Sequence, residues 1–395
     1  MKTHLSAETP QQRLRAARRA VIKLGTSIVT GSGGQFNAEH LEPLARAIAH
    51  LKKEGRQIVL VSSGAVGLGR GRLGLHPDRL NDLVMRQACA AVGQSLLMHE
   101  YEKLFQGHGI HLSQVLLTEG DFADRNRYSN LRQTMEALLK LGVLPVVNEN
   151  DTVSTAELDY LNVRAGERIF SDNDRLAALV MSHLEADVLV LLTDVEGLLQ
   201  AGPAAAKNAA ATIVPVVEEI TPELKALASG PSKGGRGGML TKLEAAEIAL
   251  RAGGVAVIAN GRSPEILERI FSGDPAGTVF LSKTRMAGKR RWIAYAAGVR
   301  GRVVVNEGAR NALIGGKASL LATGVVRVEG EFDALEVVSI VDTQGREFAR
   351  GISDLSRGNA EGLIGNGTKT EGHERSGGRA SVLVKRDNIV LLDRP

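Results

Sequence analysis

The chain has one cysteine in 395 residues, only 3% aromatics and no long apolar run. A single thiol excludes an internal disulfide framework and a cysteine-based metal cluster. Cys89, set in the apolar stretch from Leu83 to Met98, reads as a small buried hydrophobe. No segment approaches the roughly 18 to 20 apolar residues that span a bilayer. The first thirty residues also lack the apolar core of a secretory signal, so the expected location is cytoplasmic. Few aromatics leave little for stacking on nucleic-acid bases. Neither sign of charge dominates: 49 Lys and Arg against 44 Asp and Glu leave +5, which suits anionic ligands without requiring nucleic acid. Arg13, Arg15, Arg18 and Arg19 make residues 1–18 basic, but Glu8 and Pro10 interrupt the pattern. That start is expected to be a solvated tail rather than a transit peptide.

What the chain does have is 45 glycines, gathered in short clusters between apolar runs. From residue 19 to 282, strand-like runs at 20–24, 57–61, 110–117, 143–147, 187–192 and 255–259 alternate with helical patterns at 81–106, 129–140, 172–183 and 239–252. Leu41, Leu44, Ala45, Ile48 and Leu51 add a further apolar stripe at helical spacing. Such alternation predicts a three-layer αβα sandwich around a mostly parallel sheet. After a basic linker at 283–297, residues 298–395 carry short strands at 302–306, 325–328, 335–341, 381–384 and 389–392, separated by glycine turns. This texture predicts a small β-barrel, with 358–378 as a mobile loop.

Polar motifs sit at the expected strand ends, where an open α/β sheet builds its ligand crevice. The first strand runs into Lys23-Leu24-Gly25-Thr26-Ser27 and the second into Ser62-Ser63-Gly64-Ala65. Each turn lets backbone N–H groups approach a ligand, and each in isolation is equally a plain tight turn. Val147-Asn148-Glu149-Asn150-Asp151 and Ser171-Asp172-Asn173-Asp174 gather carboxylates and amides suited to a small zwitterion. Thr193 and Asp194 follow another strand. Gly234-Gly235-Arg236-Gly237-Gly238, then Met239, Leu240, Thr241 and Lys242, set a glycine run, a helix start and an ammonium in the order that cradles phosphate. No Walker pattern is present.

Together these residues resemble the amino acid kinase family, and within it the members that act on glutamate. The motifs match in order, and the C-terminal part, through 301–311 and Arg386-Asp387-Asn388, is similar to a PUA domain. The resemblance implies ATP with Mg²⁺ as cofactors and transfer of phosphate to the L-glutamate side chain, the first step of proline biosynthesis. It implies that Lys23 and Lys242 contact the moving phosphoryl group, that Asp174 orients them, and that Ser63, Asp151 and Asn173 hold glutamate. Lys23, Thr193, Asp194, Arg236, Gly237, Gly238, Met239, Leu240, Thr241 and Lys242 would line the ATP site; no residue is assigned to metal. A homo-oligomer (dimer or tetramer), feedback by proline and a downstream glutamyl phosphate reductase are further implications. Three departures from the family pattern stand out: Ser171 replaces a glycine and 158–170 before it is longer, Arg236 replaces a small or hydroxylated residue, and Lys385 stands where histidine is frequent. Kinases of the same fold acting on aspartate, acetylglutamate or carbamate are the near alternatives. An RNA-binding or RNA-modifying protein, using Arg300, Arg302, Arg310, Lys317 and Arg327, is the distant one.

Overall fold

In this computed structural model the structure describes residues 3–4, 8–31, 33–153, 173–200, 212–228, 238–274, 276–281, 284–285, 288–316, 318–367 and 381–392. The chain packs as two units, Met1–Asp121 with Arg125–Met286, and Phe122–Asp124 with Ala287–Pro395.

The first unit is built on an eight-stranded sheet. Its strands are β1 Arg19–Leu24, β2 Gln57–Ser62, β3 Leu112–Leu117, β4 Leu144–Glu149, β5 Val188–Thr193, β6 Val216–Val217, β7 Val255–Asn260 and β8 Thr278–Leu281. They lie in the order β3-β4-β2-β1-β5-β7-β8-β6. All neighbours are parallel except β7 and β8. Central parallel strands are covered on both faces and so read as continuous apolar runs. Ala20 to Leu24 and Ile58 to Ser62 are buried throughout.

Main helices of this unit are α1 Pro10–Ala16, α2 Ala38–Lys53, α3 Ala65–Arg72, α4 Leu83–Gln106, α5 Arg125–Lys140, α6 Asn173–Leu184, α7 Met239–Arg251 and α8 Ile266–Ser272. Ile22 and Leu24 share one core cluster with Leu41, Leu44, Ile48, Leu97 and Tyr101, so α2 and α4 cover that face. Side chains alternate along a strand, which sends Lys23 to the other face, where α6 and α7 begin. Between α3 and α4 the backbones nearly touch. A Cβ on Gly93 would lie 1.7 Å from the Ala65 carbonyl oxygen, so only glycine permits this approach.

The expected strands and helices are present, with ends shifted by up to four residues. Two readings change. The basic start is not a solvated tail: Thr9 and Gln12 form a capping box on α1, Leu14 is 3% exposed, and Arg13 donates to the Gly253 carbonyl. β8 and β6 are additional, and β8 is antiparallel.

The second unit holds a six-stranded sheet: β9 Val299–Val305, β10 Leu320–Leu321, β11 Val325–Gly330, β12 Val337–Val341, β13 Glu347–Ser353 and β14 Val382–Leu391, in the order β10-β14-β13-β12-β9-β11. Its core gathers Val303, Val305, Leu320, Val338, Ile340, Phe348 and Val384. Two strands expected at 381–384 and 389–392 are one strand. Gly351 pairs with Ile389 and Ser353 with Val384, so the polar residues between them bulge outward instead of turning. Lys385 in that bulge pairs with Asp354 at 3.1 Å. The expected loop at 358–378 begins instead as helix Arg357–Gly367, held by Arg357 to Glu361 at 3.0 Å with Ala360 buried; its remainder lies outside the described residues. The expected linker contains helix Gly288–Arg291 and a π-helical turn, Trp292–Ala296.

Candidate active site

Because β1, β2, β4 and β5 are parallel, their C-terminal ends share one edge of the sheet. Connections leave β1 toward β2 on one side and return to β5 on the other, the switch point where such sheets open a crevice. Gly25 turns here: its N–H donates to the Leu192 carbonyl at 3.1 Å, tying the ends of β1 and β5 together. Gly64 sits at φ 110°, a left-handed conformation that suits glycine. A Cβ there would stand 3.0 Å from Val29.

Asp174, in the first turn of α6, is 0% exposed. Lys23 Nζ lies 2.8 Å from its Oδ1, and Lys242 Nζ lies 3.0 Å from its Oδ2. The two lysines, 5% and 6% exposed, thus reach one carboxylate from β1 and from α7. Thr241 Oγ1 stands 3.2 Å from the same Oδ2 and donates to the Gly238 carbonyl at 2.8 Å. Burial alone would raise the Asp174 pKa. The charges of Lys23 and Lys242 and their hydrogen bonds outweigh it and hold the carboxyl at about 2. Two ammoniums brought to one point in the fold supply buried positive charge, the complement of a phosphate.

One residue earlier, Asn173 Nδ2 lies 2.8 Å from Ser63 Oγ, 3.2 Å from the Ser62 carbonyl and 3.0 Å from Asn148 Oδ1. Asn148 Nδ2 donates in turn to Gln94 Oε1 at 2.9 Å. The ends of β2 and β4 therefore meet the start of α6 in one amide cluster, next to the lysines. Asp151 lies half-buried on the loop after β4. At the end of β5, Thr193 Oγ1 donates to Asp194 Oδ1 at 3.2 Å.

Gly238 precedes α7 as its N-cap, Met239 and Leu240 begin the helix, and the glycine brings no side chain to cap its first N–H groups. Those donors and the helix dipole favour an anion beside Lys242. Arg236, Gly237, Ser171 and 158–170 lie outside the described residues.

Lys23, Lys242, Asp174 and Thr241 are thus one bonded cluster, and Ser63 and Asn173 a second one beside it. Sequence reasoning missed Gln94 and Tyr101. Their only signal is a polar group on the inner side of a long apolar helix.

The sequence pattern of the amino acid kinase family matches residues 18–260, and that of the PUA domain residues 301–366. The chain belongs to the amino acid kinase family. It is 45% identical over 381 residues to the glutamate 5-kinase of Moorella thermoacetica, covering 96% of this chain and 97% of that one. It is 43% identical to the glutamate 5-kinase of Caldanaerobacter subterraneus over 95% of this chain and 98% of the other. With the glutamate 5-kinase of Myxococcus xanthus it shares 44% identity over 92% and 93% of the two chains. Among solved structures, the UMP kinase of Bacillus anthracis superposes with a TM-score of 0.46 at 16% identity, over 68% of this chain and 97% of that one.

Proposed function

We propose that this chain transfers the γ-phosphoryl group of ATP to the side-chain carboxylate of L-glutamate, making L-glutamyl 5-phosphate for proline biosynthesis. The observation that carries the reading is Asp174 held between Lys23 and Lys242, in a chain 45% identical to a glutamate 5-kinase.

A glutamate side chain has a pKa near about 4.3 and is already ionised at neutral pH, so attack on phosphorus needs no general base. The barrier is the meeting of two anions, and fixed positive charge lowers it. Lys23 and Lys242 supply that charge, and Asp174 keeps both ammoniums in place. The uncapped start of α7 supports the departing phosphates, with Thr193, Asp194 and residues 236–241 along the nucleotide. Ser63, Asn173 and Asp151 hold the amino acid, Asp151 opposite its ammonium. Mg²⁺ enters with ATP as part of the substrate. Among the described residues no group of three or more His, Cys, Asp or Glu is placed to bind a metal ion by itself.

The product is a mixed anhydride that hydrolyses readily, which suits a reductase as the next enzyme. Feedback by proline and assembly as a dimer or tetramer belong to the same reading. An RNA-binding role for the second unit is less favoured. Arg327 and Arg302 lie 2.7 and 3.7 Å from Glu329, and Arg300 lies 3.6 Å from Glu336, so these cations already face carboxylates.

The test is glutamate-dependent ADP formation with hydroxylamine trapping of the acyl phosphate, repeated with proline, and with aspartate, acetylglutamate and carbamate as acceptors. Hydroxamate from glutamate alone is expected; turnover with another acceptor and none with glutamate would overturn the reading.

A further inference from the structure

Resting on the glutamate reading of this pocket, we propose that Gln94 is a positioning residue that sets the polarity of the amide cluster, so that Asn173 offers a hydrogen-bond acceptor to the substrate's ammonium.

The Ser62 carbonyl can only accept. It stands 3.2 Å from the Asn173 amide nitrogen and so fixes which way that amide faces. Ser63 Oγ, at 2.8 Å, is compatible with the same orientation. With its nitrogen committed, Asn173 needs an acceptor from Asn148, and Asn148 Oδ1 is 3.0 Å away. Asn148 must then turn its own nitrogen outward, where Gln94 Oε1 receives it at 2.9 Å. An acceptor at position 94 is therefore the end of a chain whose polarity starts at the Ser62 carbonyl.

The consequence lies at the other atom of Asn173. Its Oδ1 is buried and has no hydrogen-bond partner among the described residues. Native proteins leave few such atoms unmet, and each calls for an explanation. An ammonium brings three donors and no acceptor, so it is the group that this oxygen suits. An amide nitrogen in its place would repel the same ligand.

A second contact from the same helix supports the assignment. Tyr101, seven residues beyond Gln94, falls on nearly the same face of α4. Its hydroxyl lies 2.8 Å from Ser62 Oγ, which donates to the Ser63 carbonyl at 2.9 Å. Tyr101 packs edge-on to Phe36 at 5.3 Å. Gln94 thus holds the polarity of the cluster, and Tyr101 holds the turn that bears Ser63.

The experiment compares glutamate with glutarate, which lacks the ammonium, in the hydroxamate assay on the full chain. Gln94→Met removes the acceptor at similar volume, whereas Gln94→Glu keeps an acceptor. A net hydrogen bond corresponds to about a fivefold effect. Gln94→Met is expected to raise the glutamate KM about fivefold, leave the ATP KM and glutarate turnover unchanged, and lower glutamate-over-glutarate discrimination by that factor. Gln94→Glu is expected to restore most of the discrimination. Gln94→Ala carries the same expectation as Gln94→Met should the latter fail to fold. An unchanged discrimination ratio in an active Gln94→Met overturns the inference, as does an equal loss with both acceptors together with a raised ATP KM. Wild-type protein that makes no hydroxamate from glutamate overturns the functional reading and the inference with it, which separates the two failures.

Discussion

Replacing Asp174 by Asn keeps the shape of the side chain and removes one charge from between two buried ammoniums. Lys23 at 2.8 Å and Lys242 at 3.0 Å would then face a neutral amide and each other. Two contributions set the size of the loss. The first is the favourable ionisation of Asp174 itself: lowering an ordinary aspartate near 3.8 to about 2 corresponds to about 2 kcal/mol. The second is the exposure of two lysines to each other's charge in a site from which water is largely excluded. Removing one partner from a buried ion pair typically costs about 3–5 kcal/mol in all. For a unit of this size each kcal/mol lowers the melting temperature by about 2–4 °C, so the first unit is expected to melt roughly 10 °C lower.

The same substitution removes one negative charge from the site without touching either lysine. A phosphate should therefore be held at least as tightly, while turnover falls because the ammoniums are no longer fixed. Calorimetric melts and titrations with a non-hydrolysable ATP analogue measure both effects. The analogue is expected to recover much of the lost melting temperature, since its phosphates take over the role of the missing carboxylate. Turnover in the hydroxamate assay is expected to drop by two orders of magnitude or more. Because the folded pKa is depressed, the stabilising contribution is complete above the ordinary aspartate pKa and disappears only as pH falls through about 2. The difference between wild type and Asp174→Asn should accordingly be the same at pH 5 and pH 8. A stability loss under about 1 kcal/mol, with turnover within threefold of wild type, would refute the account of Asp174 as the holder of the lysine pair.

If Lys242 acts as proposed on the charge that develops during transfer, Lys242→Ala should lower kcat by orders of magnitude with a smaller change in glutamate KM; near-normal turnover in the same assay would remove it from the reaction. On the proposed role of Asp151 opposite the substrate ammonium, Asp151→Ala should raise the glutamate KM, and an unchanged KM would place Asp151 outside the pocket. His183, buried near the end of α6 and edge-on to Tyr128 at 4.0 Å, has its pKa pushed down to about 4, first by burial and then by the charge of Arg132. The unfolded chain therefore binds a proton that the folded chain refuses. Stability should fall by about 3 kcal/mol in all as pH drops from above 6.5 to about 4. His183→Phe should flatten this slope in denaturant titrations at pH 7.5 and 5, and an equal slope would reject the assignment.

How much of this was legible in the sequence follows from what each feature depends on. Strands β1, β2, β5 and β7 are buried on both faces, and their composition alone announces that. β8 is four residues long, and β13 carries Glu347, Arg350 and Gly351, so neither has a run or an alternation strong enough to stand out. The helix Arg357–Gly367 hides its apolar stripe among glycines, and β14 hides its continuity behind the polar bulge of Lys385 to Asn388. At the site, the residue types named chemistry before the fold placed them. A lysine before a glycine turn and a lysine in a first helical turn each suit a phosphate, and the shared contact with Asp174 is what converts two weak motifs into one device. Gln94 shows the opposite limit. A glutamine in an apolar helix has no pattern of its own, and its meaning depends on a direction of hydrogen bonding that runs from a carbonyl on β2 through two asparagines from other elements. Polarity of that kind is carried by three-dimensional adjacency alone. Motif reading therefore recovers charged side chains beside glycine turns more readily than neutral amides whose orientation depends on their neighbours.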